Sequence, residues 1–470
     1  MRVLIIGGGV CGLGAALLLA RDGHDVTLLE RDADPLPDAP PTAWDAWDRA
    51  GVAQFRQPHN LMPGLRFVLE KELPDIQDAL PRHGSAKFDL AHPLPPLWTD
   101  TSPRPIDEQL WTYTARRPVF EWILADAAAR DRRITIKRGV RVGALLTGTS
   151  KLEGTPHVTG VRTTAGDEVH ADLVVDATGR ASRSPEWLEA IGARAPYEER
   201  ADSGFAYYTR YFRGTQPERR APGLTPIGTI SVLTLLGDND TWSLTIFSAT
   251  GDQPLKQLRH ADKWTDVIRA CPLQAHWLEG EPITDILVMA GVVDRYRRFV
   301  VDGSPVATGF VAVADAWVCT NPSAGRGLTV GFLHAVQLRD SLREAAGDPR
   351  ALVERFDART EEHVAPWYHA QIAADRARFA EMTALREGRP PELPRDELGR
   401  ALVSLMSLIG ADPDLFRAGL EYIATITPVQ DILRRPEVTA RMHAAREAAK
   451  GAPPMRFPGP DREQLLRLLA

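Results

Sequence analysis

The chain has 470 residues, which predicts two or three domains at about 150 residues each. Hydrophobic residues make up 44% and charged residues 25%, as in globular proteins, so disordered, collagen-like and coiled-coil structures are excluded. The formal net charge is −6 and like charges do not cluster, so we expect neither a nucleic acid nor an anionic membrane as a partner.

The cysteines and the hydropathy of the chain bear on its compartment. Three scattered cysteines suit neither a disulfide framework nor a metal cluster, and the histidines show no metal-ligand spacing. Three consecutive glycines interrupt the apolar N-terminus, whereas a secretory signal peptide needs a continuous apolar segment. No run of about 18 apolar residues occurs. The sequence therefore predicts a cytoplasmic protein with no membrane span and no metal.

The first 30 residues predict a β-α-β unit. Residues 3–6 form an apolar run typical of a buried strand, residues 13–21 predict a helix, and residues 26–29 predict the next strand. Strands joined in this way are parallel, with a right-handed crossover.

A glycine motif lies between this first strand and this helix. The pattern G-x-G-x-x-G is satisfied by Gly7, Gly9 and Gly12, with Val10 and Cys11 at the mouth of the helix. Gly7 permits a tight turn, Gly9 lets a pyrophosphate approach the backbone, and Gly12 lets the helix pack on the strand. The helix N-terminus offers free N–H groups and a positive dipole to phosphates. The alternative is a glycine-rich turn without a ligand.

An acidic residue ends the second predicted strand. Glu30 follows Gly7 by 23 residues, where a carboxylate can accept both hydroxyls of a ribose. The neighbouring Arg31 could face the adenine or a phosphate, or be solvated. Strand, glycines, helix and acid together predict a dinucleotide-binding site.

In the rest of the chain the type of predicted secondary structure changes twice. Residues 117–130 predict an amphipathic helix, and residues 173–175 predict a buried strand. An antiparallel sheet is predicted by longer β-branched and aromatic runs at residues 205–212, 228–236 and 241–249. Residues 310–314 return to the buried-strand pattern, and a glycine-rich loop then leads into a helix at residues 328–345. From residue 349 onward the pattern is mostly helical, and Asp461 with Gln464 three residues later has the capping-box spacing of a final short helix.

Three segments carry a family resemblance. They are Arg-Pro-Val-Phe-Glu-Trp-Ile-Leu at 117–124, Asp-Leu-Val-Val-Asp-Ala-Thr-Gly-Arg at 172–180, and Ala-Asp-Ala at 314–316 followed by Asn-Pro-Ser-Ala-Gly-Arg-Gly at 321–327. In order and spacing they resemble the FAD-dependent monooxygenases of the para-hydroxybenzoate-hydroxylase-like superfamily, which also contains epoxidases, flavin halogenases and geranylgeranyl reductases. The resemblance extends from Met1 to about residue 345.

The resemblance implies FAD contacts for residues in these segments. Family members bring an arginine to the cofactor from the helix that starts at residue 117, and another from the segment at residues 56–59, which is expected to open a helix after the proline-rich loop. The second segment lies near the pyrophosphate in the family. The contacts implied in this way, added to those of the first 31 residues, are Arg56, Arg117, Asp176, Gly179, Asp315, Pro322, Gly325, Gly327 and Leu328.

The third segment also has a physical interpretation of its own. Asp315 follows a buried strand, so its carboxylate could hold a ribityl hydroxyl. Gly325 and Gly327 let the backbone come close under an isoalloxazine ring. The helix that starts there directs N–H groups to the edge of the flavin that is anionic when reduced, and its dipole stabilises that charge. The alternative is an N-capping aspartate before an ordinary loop.

Two departures from the family pattern stand out. Ala314 occupies a position where the family usually has glycine, which narrows the space beside Asp315. In the second segment the phenol hydroxylases carry Asp-Gly, whereas this chain has Asp-Ala-Thr-Gly at 176–179, as in the epoxidase, halogenase and reductase branches.

The resemblance implies an α/β fold with three parts. A discontinuous, Rossmann-type FAD-binding domain is expected at residues 1–185 and 296–345, with a parallel sheet and helices. An antiparallel-sheet substrate domain is expected at residues 186–295, and a helical C-terminal region at 346–470. In the antiparallel sheet, Tyr207 and Tyr211 share one face, and Tyr208, Arg210 and Phe212 share the other. Either face could line a substrate cavity.

The implied activity is that of a monooxygenase. NADPH or NADH would reduce the FAD, O₂ would add at the flavin C4a position, and the hydroperoxide would hydroxylate or epoxidise a hydrophobic small molecule. One alternative is a flavin-dependent reductase of prenyl or other carbon-carbon double bonds. Another is an inactive protein that kept the FAD fold for binding. Halogenation is not expected, because the W-x-W-x-I-P segment of the halogenases is absent and Trp44-Asp45-Ala46-Trp47 has a different spacing.

Overall fold

The computed structural model describes residues 1–92, 100–202, 204–450 and 456–470. Its strands, in chain order, are Arg2–Ile6 (β1), Asp25–Glu30 (β2), Lys87–Asp89 (β3), Trp111–Tyr113 (β4), Ile134–Arg138 (β5), Val142–Leu152 (β6), Thr155–Thr163 (β7), Glu168–His170 (β8), Leu173–Asp176 (β9), Tyr197–Asp202 (β10), Phe205–Arg213 (β11), Leu224–Ile227 (β12), Ile230–Leu236 (β13), Thr241–Ala249 (β14), Glu281–Pro282 (β15), Leu287–Ala290 (β16), Val293–Arg298 (β17), Val300–Val301 (β18), Ser304–Pro305 (β19), Phe310–Ala312 (β20) and Val318–Cys319 (β21).

Its α-helices, in chain order, are Val10–Arg21 (α1), Ala43–Ala46 (α2), Pro63–Glu72 (α3), Pro74–Arg82 (α4), Arg117–Arg130 (α5), Ser184–Ala190 (α6), Ala261–Arg269 (α7), Gly327–Ala345 (α8), Pro349–His363 (α9), Ala365–Arg386 (α10), Glu397–Leu408 (α11), Pro413–Ile423 (α12), Val429–Leu433 (α13), Pro436–Ala448 (α14) and Arg462–Leu469 (α15). In the described ranges, no helix combines the length and the apolar character that crossing a membrane requires.

A parallel sheet in the order β20-β9-β1-β2-β5 forms the centre of the fold. Successive side chains of β1 enter different cores, because side chains alternate along a strand. Val3 and Ile5 pack with α1, α5 and α8, and Leu4 and Ile6 pack with β7. Strands of a parallel sheet end at one edge, so the loops after β1, β9 and β20 lie side by side.

The predicted antiparallel sheet is confirmed, with the order β12-β13-β14-β11-β15 and β16 on the other part of β11. Its two faces have different neighbours. Tyr208 and Phe212 lie on the face that α7 and α15 cover. Tyr207 lies on the opposite face with Phe247 of β14 and Met382 of α10. Tyr211 of that face packs edge-on against Trp44, with the ring centroids 4.7 Å apart.

The C-terminal helices begin where the sequence places helix-starting residues. Pro413 and Pro436 occupy the first positions of α12 and α14, where a missing N–H costs no hydrogen bond. Asp461 and Gln464 form the predicted capping box at the start of α15. This last helix returns to the antiparallel sheet, where Arg462 makes an ion pair of 2.6 Å with Asp252.

Two element boundaries differ from the sequence-based expectation. The strand predicted over residues 310–314 ends at Ala312, because Ala314 turns the chain with φ +52°. The segment around Arg56 was predicted to open a helix, but α3 begins only at Pro63. In addition, β17 crosses the domain boundary expected at residues 295 and 296 and pairs with both β10 and β21.

Candidate functional site

The loop between β1 and α1 is so tight that it requires glycine. Gly7 has φ +106°, and its N–H donates a 2.8 Å hydrogen bond to the Leu29 carbonyl oxygen. A Cβ on Gly12 would overlap the carbonyl oxygen of Gly7. A Cβ on Gly9, in contrast, would meet nothing nearer than Nη2 of Arg117, 3.6 Å away. The guanidinium of Arg117 therefore lies beside Gly9, at the N-terminus of α1.

The residues at the mouth of α1 offer free backbone groups. Gly9 caps the helix without a side-chain hydrogen bond, so the first N–H groups of α1 stay available to a ligand. Val10 is buried in the core. Burial raises the pKa of the Cys11 thiol to about 12, so this thiol stays protonated at neutral pH and is no nucleophile.

Glu30 lies buried at the end of β2. Its carboxylate accepts hydrogen bonds of 2.8 Å from the N–H groups of Gly8 and Asp32, and one of 2.9 Å from Nη2 of Arg49. Burial opposes ionisation, but the Arg49 guanidinium and the two N–H groups prevail and lower the pKa of Glu30. Since a carboxylate has about four lone-pair positions, capacity remains for a ribose hydroxyl.

Glu30 belongs to a buried set of charges that we call the ion network: Glu30, Arg49, Arg117 and Glu121. Nε of Arg49 lies 3.0 Å from Oε1 of Glu121, and Nε of Arg117 lies 3.1 Å from Oε2 of the same carboxylate. The side chains of Arg49 and Glu121 are fully buried. Two guanidinium groups therefore balance two carboxylates. The network fixes Arg117 with Nη2 directed toward Gly9.

His59 completes the surroundings of Arg117. Nη1 of Arg117 lies 3.2 Å from Nε2 of His59, and a guanidinium can only donate, so Nε2 of His59 accepts. Nδ1 then carries the proton and donates it to the Gln57 carbonyl oxygen at 2.8 Å. Burial and the Arg117 charge lower the pKa of His59 to about 3, so it stays neutral and orients Arg117.

The other two arginines expected at the cofactor bind the neighbouring loop. The exposed Arg31 donates to the Gly51 carbonyl oxygen at 2.6 Å. Arg56 donates to the Trp44 carbonyl oxygen at 2.9 Å. Both side chains therefore hold residues 44–51 in place, and a contact of either with FAD stays a prediction.

Asp176 shapes the loop after β9. Its fully buried carboxylate accepts hydrogen bonds of 2.6 Å from the hydroxyls of Thr178 and Ser182, and one of 2.9 Å from the Thr178 N–H. Burial raises the pKa of Asp176, and these hydrogen bonds oppose the rise. Gly179 turns the chain with φ +73°, beside Asp315. The Asp176 side chain is thus directed into its own loop.

The turn after β20 is strained and supported from behind. Ala314 has φ +52°, the left-handed region in which glycine is favoured. Its N–H donates a 3.2 Å hydrogen bond to Nδ1 of His334, whose Nε2 lies 3.1 Å from the Thr360 hydroxyl. Burial lowers the pKa of His334 to about 3, so the ring is neutral and accepts at Nδ1. The glycine that the family has here is therefore explained by the backbone.

Asp315 offers an unpaired carboxylate to the cleft. Nothing in the described part of the chain donates a hydrogen bond to it, although Arg117, Arg295 and Arg180 act on it electrostatically. Burial raises the pKa of Asp315, and these three guanidinium charges oppose the rise. A carboxylate in such a place requires a donor. The ribityl hydroxyl of a flavin would be one.

The loop at residues 321–327 brings backbone close to the same edge of the sheet. The single turn Pro322–Ala324 ends at Gly325, which has φ +65°. A Cβ on Gly327, the first residue of α8, would meet no atom within 4 Å, while Leu328 packs into the core. Helix α8 contacts the turn Ala314–Ala316 through its second turn, where a Cβ on Gly331 would lie 3.2 Å from the Cβ of Ala314. Open backbone, an unpaired acid and a helix N-terminus together fit FAD.

Comparison with known proteins points to a flavin-binding N-terminus. A model of the FAD dependent oxidoreductase family matches residues 2–39, the segment that contains β1, the glycine loop, α1 and β2. Over 384 residues the chain is 28% identical to Protein Rv3254 of Mycobacterium tuberculosis, which covers 76% of this chain and 77% of that protein.

The chain shares its fold with flavin-dependent enzymes of known structure. Against the flavin-dependent brominase Bmp2 the TM-score is 0.60, with 14% identity over 96% of this chain and 99% of that one. Against the anhydrotetracycline hydroxylase OxyS of Streptomyces rimosus it is 0.56, with 17% identity over 90% and 76%. The resemblance and the fold class predicted from the sequence are thus confirmed, while the individual cofactor contacts remain predictions.

Three residues that build the site belong to no sequence motif. Arg49, His59 and His334 lie outside every motif, and the first two act on residues distant in the chain. One signal was present for Arg49. Glu121 stands in the run Val-Phe-Glu-Trp-Ile of a helix that is otherwise buried, and a buried acid needs cationic partners.

Proposed function

We propose that this protein is a single-component FAD monooxygenase that hydroxylates or epoxidises a hydrophobic small molecule. The observation that carries the proposal is the arrangement around Arg117. Its guanidinium lies beside Gly9 at the N-terminus of α1 and also acts electrostatically on the unpaired carboxylate of Asp315. A flavin dinucleotide is a ligand that needs both a site for its phosphates and an acceptor for a hydroxyl group.

The chain's own residues would hold the cofactor without a covalent bond. The α1 N-terminus and Arg117 neutralise the pyrophosphate, Glu30 accepts the ribose hydroxyls, and Asp315 accepts a ribityl hydroxyl. When bound, the flavin accepts hydride from NADPH or NADH and activates O₂. The dipole of α8 stabilises negative charge at the ring edge over Gly327. The backbone of Pro322, Gly325 and Leu328 would complete this side.

The substrate would bind on the Tyr207 face of the antiparallel sheet. The other face is closed, because α7 and α15 cover it. The Tyr207 face carries Phe247, Met289 and Phe205 and lies against α10. These apolar surroundings favour a hydrophobic substrate. In this proposal, residues 186–295 serve the substrate, residues 1–185 and 296–345 bind FAD, and residues 346–470 close the site through α10.

The test combines cofactor analysis with turnover. The purified protein should contain FAD that acid or heat releases. NADPH or NADH oxidation should couple to O₂ uptake with one member of a panel of aromatic and olefinic compounds, and the product should be one oxygen atom heavier. A reduced double bond formed without oxygen would favour the reductase alternative. A colourless protein that takes up no FAD would refute the proposal.

A further inference from the structure

A cluster of polar side chains joins helix α10 to the glycine-rich loop of residues 321–327. We call Asp294, Asn321, Ser323, Gln371 and Asp375 the α10 cluster. The Ser323 hydroxyl donates to Oδ1 of Asp375, and Nε2 of Gln371 donates to Oδ2 of Asp375 at 2.9 Å and to the Ser323 hydroxyl at 2.6 Å. The N–H of Asn321 donates to Oδ1 of Asp294 at 2.5 Å.

The α10 cluster is buried, yet part of its hydrogen-bonding capacity is unused. Asn321 is 1% exposed and Gln371 is 2% exposed. Nδ2 of Asn321 and Oε1 of Gln371 have no hydrogen-bond partner in the part of the chain that the structure describes. Buried polar atoms without partners are rare in native structures and mark sites where a ligand or solvent group belongs. Ser323 is partly exposed, so its hydroxyl connects the buried Asp375 to the cleft.

Charges of both signs act on Asp375. The buried carboxylate of Asp294 raises the pKa of Asp375, and the guanidinium of Arg326 lowers it. The Arg326 guanidinium lies over the Tyr422 ring, 4.3 Å from its centroid. Tyr207 stays neutral because burial raises its pKa, and its hydroxyl donates to Oδ1 of Asn321.

These surroundings bring the pKa of Asp375 close to neutral pH. Burial and the neighbouring Asp294 charge raise the pKa of Asp375 to about 7, against the opposing hydrogen bonds from Gln371 and Ser323 and the charge of Arg326. A further negative charge in the cleft would favour the protonated form more strongly.

We propose that Asp375 takes up one proton when a flavin bound at the loop of residues 321–327 is reduced, and that the Ser323 hydroxyl conducts this proton from the cleft. The inference rests on the proposed function, because it needs FAD at this loop. A hydride from the nicotinamide adds two electrons and one proton to the ring and leaves one negative charge. A solvent proton then binds the Asp375 carboxylate, so one proton is gained and no bond of the protein breaks.

The midpoint potential of the bound FAD tests this inference without any substrate. It is measured between pH 5.5 and 8.5 by reduction in equilibrium with a reference dye. Each proton taken up with two electrons changes the equilibrium constant tenfold per pH unit, which lowers the midpoint potential by about 30 mV per pH unit. A second proton therefore adds about 30 mV per pH unit to the slope of potential against pH. We expect the slope to steepen by this amount above about pH 7 in the unmodified protein and to stay constant in Asp375→Asn.

Two further variants keep the test decisive. Ser323→Ala removes a hydrogen bond that lowers the pKa of Asp375, so the break in slope should move to higher pH. Glu381→Gln alters an acid of the same helix that pairs with Arg378 at the surface, and should leave the break in place. A constant slope in the FAD-loaded protein, or a break that persists in Asp375→Asn, would overturn the inference. Absence of NAD(P)H-coupled oxygen uptake by a protein that does show the break would instead refute only the monooxygenase proposal.

Discussion

The two buried charge groups of this protein are built differently. The ion network pairs two carboxylates with two guanidinium groups, at 2.9–3.1 Å. In the α10 cluster, Asp375 lies in the fields of Asp294 and Arg326, and among the described residues Nδ2 of Asn321 and Oε1 of Gln371 have no hydrogen-bond partner.

The difference shows how burial can serve two purposes. A balanced network holds fixed charges, so Glu30 stays ionised and Arg117 keeps its orientation at every physiological pH. In the α10 cluster, burial and a neighbouring carboxylate raise the pKa of Asp375 to about 7, so Asp375 can change its charge when a charge near it changes. The first arrangement suits tight binding of a cofactor, and the second suits a reaction in which protons move.

The largest expected effect follows from breaking the balanced network. Arg49→Ala would remove the ion-pair partner of Glu30 and leave Arg117 as the ion-pair partner of Glu121, and removing one partner of a buried ion pair costs about 3 to 5 kcal/mol. We expect a loss of this size in the free energy of unfolding of the FAD-free protein, measured by urea denaturation and circular dichroism.

The control for Arg49→Ala is an arginine whose pairing is exposed. Arg350 pairs with Glu354 one helical turn away at the surface of α9. Arg350→Ala should leave the urea midpoint almost unchanged, because water screens such pairs. Equal losses in the two variants would show that the ion network contributes nothing beyond a surface pair.

The next effect concerns the unpaired carboxylate between the two groups. Asp315→Ala should weaken FAD binding by about ten- to a hundredfold, the equivalent of roughly 1.5 to 3 kcal/mol for a hydrogen bond to a charged group. Asp176→Asn keeps the shape of a side chain that is directed into its own loop, and should change the affinity far less. Titration of both FAD-free proteins with FAD decides this. Equal affinities would show that the flavin is misplaced.

Local sequence patterns predicted the main strands and helices of this molecule, but not the contacts that form its two charge groups. The β-α-β unit, the antiparallel sheet and the capping box at Asp461 follow from the periodicity and chemistry of adjacent residues. Arg49 meets Glu121, and Asp375 meets Ser323, only after the chain has folded, and neither pair has a local signature. Ala314 shows the opposite case. Its departure from the family pattern is visible in the sequence, but the strain that results is visible only in the backbone conformation.

A smaller effect is expected from relieving that strain. Ala314→Gly removes a left-handed alanine and should stabilise the protein by about 0.5 to 1 kcal/mol, because the gain in the folded state exceeds the entropy added to the unfolded chain. Ala346, at the end of α8, has a similar φ of +47° and is remote from the cleft. Ala346→Gly should raise the urea midpoint in the same direction. Only Ala314→Gly should alter FAD affinity, since it alone widens the space beside Asp315.

The last prediction concerns halogenation, which we expect to be absent. A lysine that reached the α10 cluster would offset the negative charge of its carboxylates and could intercept an oxidised halide, as halogenases do. Lys71 of α3 is 80% exposed beside Glu72, and Lys87 lies over the Trp111 ring, so neither side chain has that role. With reduced FAD, O₂, bromide and electron-rich aromatic or olefinic compounds, we therefore expect oxygenated products only, in the unmodified protein and in Lys71→Ala alike. A brominated product that disappears in Lys71→Ala would place this enzyme with the halogenases whose fold it shares.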